Sequence, residues 1–109
     1  MKVLVPSIAG SMLPRDKVLL EVTPLTAEQM KSEIGNEPVE NYIRHPATLQ
    51  QLQSLLPNVQ QAKSPEYHIS PSDIIYIVSL AQRTAVSGQE VQVQSLNELV
   101  IFRVRILSS

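Results

Sequence analysis

Apolar residues fall in short runs along this chain, separated by clusters of turn-forming residues. Residues 2–5 (KVLV) form a brief apolar run closed by Pro6 and predict a first strand. Residues 7–16, SIAGSMLPRD, are rich in small and turn-forming types and predict a loop. Residues 17–22 are rich in leucine and β-branched side chains, so a second strand is expected there, ended by Thr23-Pro24. Thr26 then has the chemistry of a helix N-cap, with Gln29 three residues later at the capping-box position, and Gly35-Asn36 signals the stop after Ile34. Residues 38–43 predict an extended approach to a second helix, which Pro46 opens. In that helix Leu49, Leu52, Leu55 and Leu56 keep a helical period while Gln50, Gln51 and Gln53 take the other side, and Pro57 ends it.

The second half reads mainly as strands. Residues 58–62 and 67–69 are each expected as short strands, parted by a turn at Lys63-Ser64-Pro65, with another turn at residues 70–73. IIYIVSL, residues 74–80, is the most apolar stretch and predicts a central strand covered on both faces. Residues 84–89 predict a loop, and Ser95 with Glu98 predicts one capped helical turn over 96–99. Residues 100–107 alternate, with Phe102, Val104 and Ile106 facing one way and Ile101, Arg103 and Arg105 the other, as in a half-buried strand. Strands outnumber the short helices. The expected fold class is α/β: a single domain over residues 1–109, a mixed sheet with short helices packed mainly on one face.

Composition narrows the classes of function. A chain of 109 residues suits one domain, and 43% hydrophobic with 17% charged residues is a globular balance. The formal charge of −1 argues against a broad duplex nucleic-acid footprint, so any bound anion must meet a local cluster of donors. The absence of cysteine removes disulfides and thiolate metal sites, and fits a cytoplasmic location. The opening MKVLVPSIAG is too brief for a signal sequence, and no stretch approaches the roughly 18 apolar residues that a membrane span needs. No cofactor-binding fingerprint occurs in the sequence.

Two segments could carry chemistry. In Tyr42-Ile43-Arg44-His45-Pro46-Ala47-Thr48 a histidine stands where a helix begins, beside backbone N–H groups and the positive end of a helix dipole. Such a histidine can protonate a leaving oxygen. It equally suits a solvent-exposed cap, which is the commoner use of this pattern. In Ala81-Gln82-Arg83 an arginine directly follows the apolar strand, where α/β sheets gather ligands and a guanidinium can clamp a phosphate. An ordinary charged residue closing a strand is the plainer alternative. Arg103 and Arg105 read best as charges that keep an edge strand soluble. His68 reads as a surface histidine, and two histidines so far apart, without a carboxylate at ligand spacing, do not suggest a metal site.

The order of these features resembles the viral ring nucleases, the type III anti-CRISPR family of archaeal viruses and phages with cellular relatives. The likeness spans nearly the whole chain. It lies in the opening strand with its small-residue loop ending Ser11-Met12-Leu13, and in Ile43-x-His45-x-x-Thr48, which is similar to the family's I-G-H-x-S-T. It continues in the apolar strand running into Gln82-Arg83, a Gly-containing loop, a capped turn and a last strand. The resemblance implies a homodimer, without metal or cofactor, that cuts cyclic oligoadenylate, cyclic tetra-adenylate above all, and so silences type III CRISPR signalling in the cytoplasm, the host's if the chain is viral. It implies His45 as general acid and Arg83 as the stabiliser of phosphoryl charge. Ser11, Thr48, Arg44 and Gln82 become ligand contacts. The chain departs from the family's pattern at Arg44, which replaces a glycine, and at Pro46 and Ala47. It departs again at Thr84-Ala85-Val86-Ser87-Gly88, where the family carries a pair of glutamates, and in a C-terminal helix reduced to a turn. The missing acids open a second expectation, a protein that binds and sequesters the ring. A third is a small interaction protein that binds another polypeptide through a sheet edge.

Overall fold

The computed structural model describes residues 1–63, 66–81 and 98–108. The elements run β1 (Lys2–Val5), a 3-10 turn (Gly10–Met12), β2 (Leu19–Leu25), α1 (Ala27–Ile34), β3 (Val39–Asn41), α2 (Pro46–Leu55), β4 (Ile74–Ala81) and β5 (Glu98–Ser108). The five strands form one mixed sheet in the order β2-β5-β4-β1-β3. Strand β1 pairs in parallel with β3 and β4, while β5 is antiparallel to both β4 and β2. The parallel strands β1, β3 and β4 therefore end on the same edge of the sheet.

Local chemistry explains the helices. Thr26 Oγ1 accepts from the Gln29 backbone N–H at 3.1 Å, and Gln29 Oε1 accepts from the Thr26 N–H at 2.8 Å, so both orphan donors are satisfied reciprocally. Gly35, at φ +56°, closes α1 with its N–H donated to Lys31 O. Pro46 occupies the first position of α2, where its missing N–H costs nothing.

Side-chain alternation divides the core in two. On the helix-covered face Leu4, Tyr76, Val78 and Ile101 pack with Met30 and Ile34 of α1 and with Ile43, Leu52 and Leu56. On the other face Val3, Val5, Ile75 and Val104 are covered by loop residues, chiefly Met12, Tyr67 and Ile69. The expected mixed sheet with helices on one side is the observed architecture, and β4 is its central strand, buried from both sides.

Four expectations need correction. The second strand spans Leu19–Leu25, so Thr23-Pro24 does not end it. Among the described residues this strand is an edge paired only with β5, and an edge tolerates a residue without an N–H. Residues 58–62 and 67–69 are not strands. Val59, Tyr67 and Ile69 are buried by lying across the sheet faces, so they satisfy their hydrophobicity without joining a ladder. The turn expected over 96–99 is already strand at Glu98 and Leu99, which pair with Ala81 and Leu80; residues 82–97 lie outside the described residues. Finally, Arg103 and Arg105 do not sit on an edge. Strand β5 lies between β2 and β4, and Arg103 pairs with Glu33 of α1.

Candidate functional site

The carboxyl ends of β1 and β3 open onto a cavity of about 280 Å³. Val5, Pro6 and Ser7 leave β1 along one wall, and Tyr42 and Arg44 leave β3 along another. Met12, Glu66 and Tyr67 complete the lining. The Tyr42 and Tyr67 rings are in contact, with centroids 5.2 Å apart and planes tilted by 40°. This edge is where α/β sheets usually present ligand sites, because loops there leave strands of one direction together.

His45 is the residue after Arg44 and the N-cap of α2. It is exposed, and its side chain caps no backbone N–H. Its Nδ1 lies 3.4 Å from Oγ1 of Thr48, which is buried in the first turn of the same helix. Burial fixes the hydroxyl, and the hydroxyl in turn orients the imidazole. Leu52, fully buried one turn further on, anchors α2 to the sheet. The histidine thus stands at the start of a helix anchored to the sheet, next in sequence to the cavity residue Arg44 though not itself part of the cavity lining. That arrangement can donate a proton to an oxygen of a bound anion.

Arg44 is exposed, and its guanidinium donates to the Lys63 carbonyl at 2.8 Å. Asn41 steadies the turn before it: its amide donates to the carbonyls of Ile43 and Gln60, and its oxygen accepts from the Ile43 N–H. Ser11 reaches the cavity indirectly, its hydroxyl donating to Glu66 Oε2 at 2.6 Å. The structure therefore sets Thr48 beside His45, puts Arg44 in the cavity lining and joins Ser11 to that cavity through Glu66. Gln82 and Arg83 lie outside the described residues; the described chain reaches Ala81, at the end of β4 on the same sheet edge.

Four polar cavity residues were not among the expected site residues: Ser7, Glu66, Tyr67 and Tyr42, the last lying within the segment singled out for His45. Burial raises the pKa of the Tyr67 phenol, and so does the hydrogen bond it donates to Asp73. Burial also raises that of Tyr42, helped by a hydrogen bond to Glu40 at 3.1 Å. Both phenols are held neutral as donors. Glu66 left one trace in the sequence, as the only acidic residue between Glu40 and Asp73. Among the described residues no group of three His, Asp or Glu side chains is placed to hold a metal ion. No helix among them is long and apolar enough to cross a membrane.

The sequence profile of the STIV B116-like family matches residues 6–105. Among solved structures the chain is similar to B116 of Sulfolobus turreted icosahedral virus, at 15% identity with a TM-score of 0.66. That similarity covers 95% of this chain and 97% of the viral protein, and at such low identity it speaks to the fold. No functionally curated protein matches the chain by sequence.

Proposed function

This chain belongs to the STIV B116-like family, named for an archaeal-virus protein, and from that membership and the site geometry we propose that it is a metal-independent ring nuclease acting on cyclic oligoadenylate, with cyclic tetra-adenylate as the favoured ring. The observation that carries this reading is His45: an exposed imidazole at the start of α2, oriented by a buried threonine and adjacent to Arg44 in the wall of a cavity. RNA brings its own nucleophile, so the protein has only to align a ribose 2′-OH with the adjacent phosphorus and protonate the departing 5′-oxygen. The bond from 2′-O to phosphorus forms as the bond from phosphorus to 5′-O breaks, leaving a linear chain with a 2′,3′-cyclic phosphate and a 5′-OH. His45 supplies the proton to 5′-O. Arg44 and Arg83 supply positive charge to the phosphoryl oxygens. Ser11 and Gln82 serve as ligand contacts. A symmetric ring suits a site shared by two copies across a two-fold axis, which makes the working unit a homodimer.

Incubating the protein in excess over cyclic tri-, tetra- or hexa-adenylate, with EDTA present, tests the reading. The expected result is a linear product ending in 2′,3′-cyclic phosphate, formed about 10²–10⁴-fold more slowly by His45→Ala. Rings left intact by the unaltered protein would overturn the catalytic assignment. Tight binding without turnover would instead support sequestration, the reading favoured by the acid-free stretch Thr84-Ala85-Val86-Ser87-Gly88.

A further inference from the structure

Ring opening moves two protons, and His45 accounts for one of them. The 2′-OH must lose a proton as it attacks, and the 5′-oxygen must gain one as it leaves, with no net change. Efficient catalysis therefore needs an acceptor on the 2′-O side of phosphorus. The structure provides a carboxylate in the cavity that fits this requirement. Glu66 lines the cavity with Ser7, Tyr42 and Arg44. Its Oε2 accepts the Ser11 hydroxyl at 2.6 Å, which holds the carboxylate in one orientation. Its Oε1 makes no hydrogen bond among the described residues.

We propose that Glu66 is the proton acceptor for the attacking 2′-OH, with Ser11 as the residue that positions it; this rests on the ring-nuclease reading above. In the step, Glu66 Oε1 takes the 2′-OH proton, 2′-O bonds to phosphorus, the bond to 5′-O breaks, and His45 protonates 5′-O. The proton taken from the 2′-OH stays on Glu66 until solvent removes it, while solvent returns one to His45. Electrostatics makes the assignment sharp. A carboxylate in a cavity meant for a polyanion repels its ligand, and Arg44 in the same lining offsets only part of that. A carboxylate with no chemical task is a handicap there. Neutralising it should then help the protein, whereas neutralising a proton acceptor should disable it.

Glu66→Gln makes the distinction, since the side chain is exposed and the replacement keeps its shape. Calorimetry gives the affinity for cyclic tetra-adenylate, and single-turnover cleavage across pH gives the rate, each beside the unaltered protein. The expected variant binds the ring at least as tightly and cuts it 100-fold or more slowly. The other titratable groups facing this carboxylate, Arg44, Tyr42 and Tyr67, are retained in both proteins, and Glu66→Asp should recover part of the rate. Tighter binding with equal or faster cutting would overturn the proposal, leaving Glu66 as a repulsive wall. Weaker binding with a proportionate loss of rate would overturn it too, marking Glu66 as structural support. If the unaltered protein cuts no ring, the ring-nuclease reading itself fails and this assignment falls with it.

Discussion

Arg103 of β5 forms an ion pair with Glu33 of α1, joining residues 70 positions apart. The second oxygen of the same carboxylate accepts the Tyr76 hydroxyl of β4 at 2.9 Å. One side chain of α1 thus clasps two neighbouring strands. Arg103 and Glu33 are 23% and 28% exposed, between the surface and the core. A fully exposed pair contributes up to about 1 kcal/mol, and breaking a fully buried one costs about 3–5 kcal/mol. Glu33→Ala should therefore cost about 2 kcal/mol in urea unfolding. Replacing Glu33 and Arg103 together by methionine should cost less than Glu33→Ala alone, because no charge is left unpaired. A double variant as unstable as the sum of its parts would show that the pair itself contributes nothing.

Gly35 supports a second prediction. Its φ of +56° and ψ of −126° lie where side chains with a Cβ are strained. A Cβ built there meets nothing within 4 Å. The whole cost of Gly35→Ala must then come from the backbone, about 1–3 kcal/mol. Thermal unfolding should show that loss, and Gly35→Asn should show it too, because ψ of −126° lies outside the left-handed helical well that asparagine tolerates. Equal stability of Gly35→Ala would mean that the turn relaxes into another conformation.

The readable parts of this fold are those fixed by neighbours in the chain. The Thr26 and Gln29 cap, the stop at Gly35, the entry at Pro46 and the alternation through 100–107 each depend on residues within a few positions of one another. Strand order does not, so the pattern that marked Arg103 as half-exposed could not tell an edge from an internal strand. Only the partner, Glu33, decides that. The site divides in the same way. A histidine before Pro46 is a local feature of a helix start. The cavity is not, since its walls come from residues 5–7, 12, 42, 44 and 66–67, which the sheet topology brings together. Glu66 carries no motif of its own.

All three tyrosines, Tyr42, Tyr67 and Tyr76, have their pKa raised, first by burial and then by hydrogen bonds to Glu40, Asp73 and Glu33 respectively. A raised value means that the folded state prefers the neutral phenol. Stability from this source is complete below the ordinary tyrosine value of about 10 and is lost as pH rises through the folded values. Urea stability should be insensitive to these groups up to about pH 10 and then fall. Tyrosinate absorbance from Tyr67 and Tyr76 should grow only as the chain unfolds. A tyrosine ionising near its ordinary value in the folded protein would contradict the packing described for Tyr67 and Tyr76.

Thr48 decides how the imidazole is held. An imidazolium that donates Nδ1–H to Thr48 Oγ1 keeps Nε2–H available for a departing oxygen, and the 3.4 Å separation marks this as a modest interaction. A neutral hydrogen bond contributes about 0.5–1.5 kcal/mol, and 1.36 kcal/mol corresponds to tenfold in rate. Thr48→Val preserves the buried shape and removes the hydroxyl, so it should lower kcat on cyclic tetra-adenylate about 2–10-fold with KM nearly unchanged. Thr48→Ser should restore most of the loss by returning the hydroxyl. A positioning role acts on turnover because it orients a group that matters only as the bond breaks. The opposite split, with kcat retained and KM raised, would show Thr48 touching the ligand directly, and its burial at 4% exposure in the structure argues against that outcome.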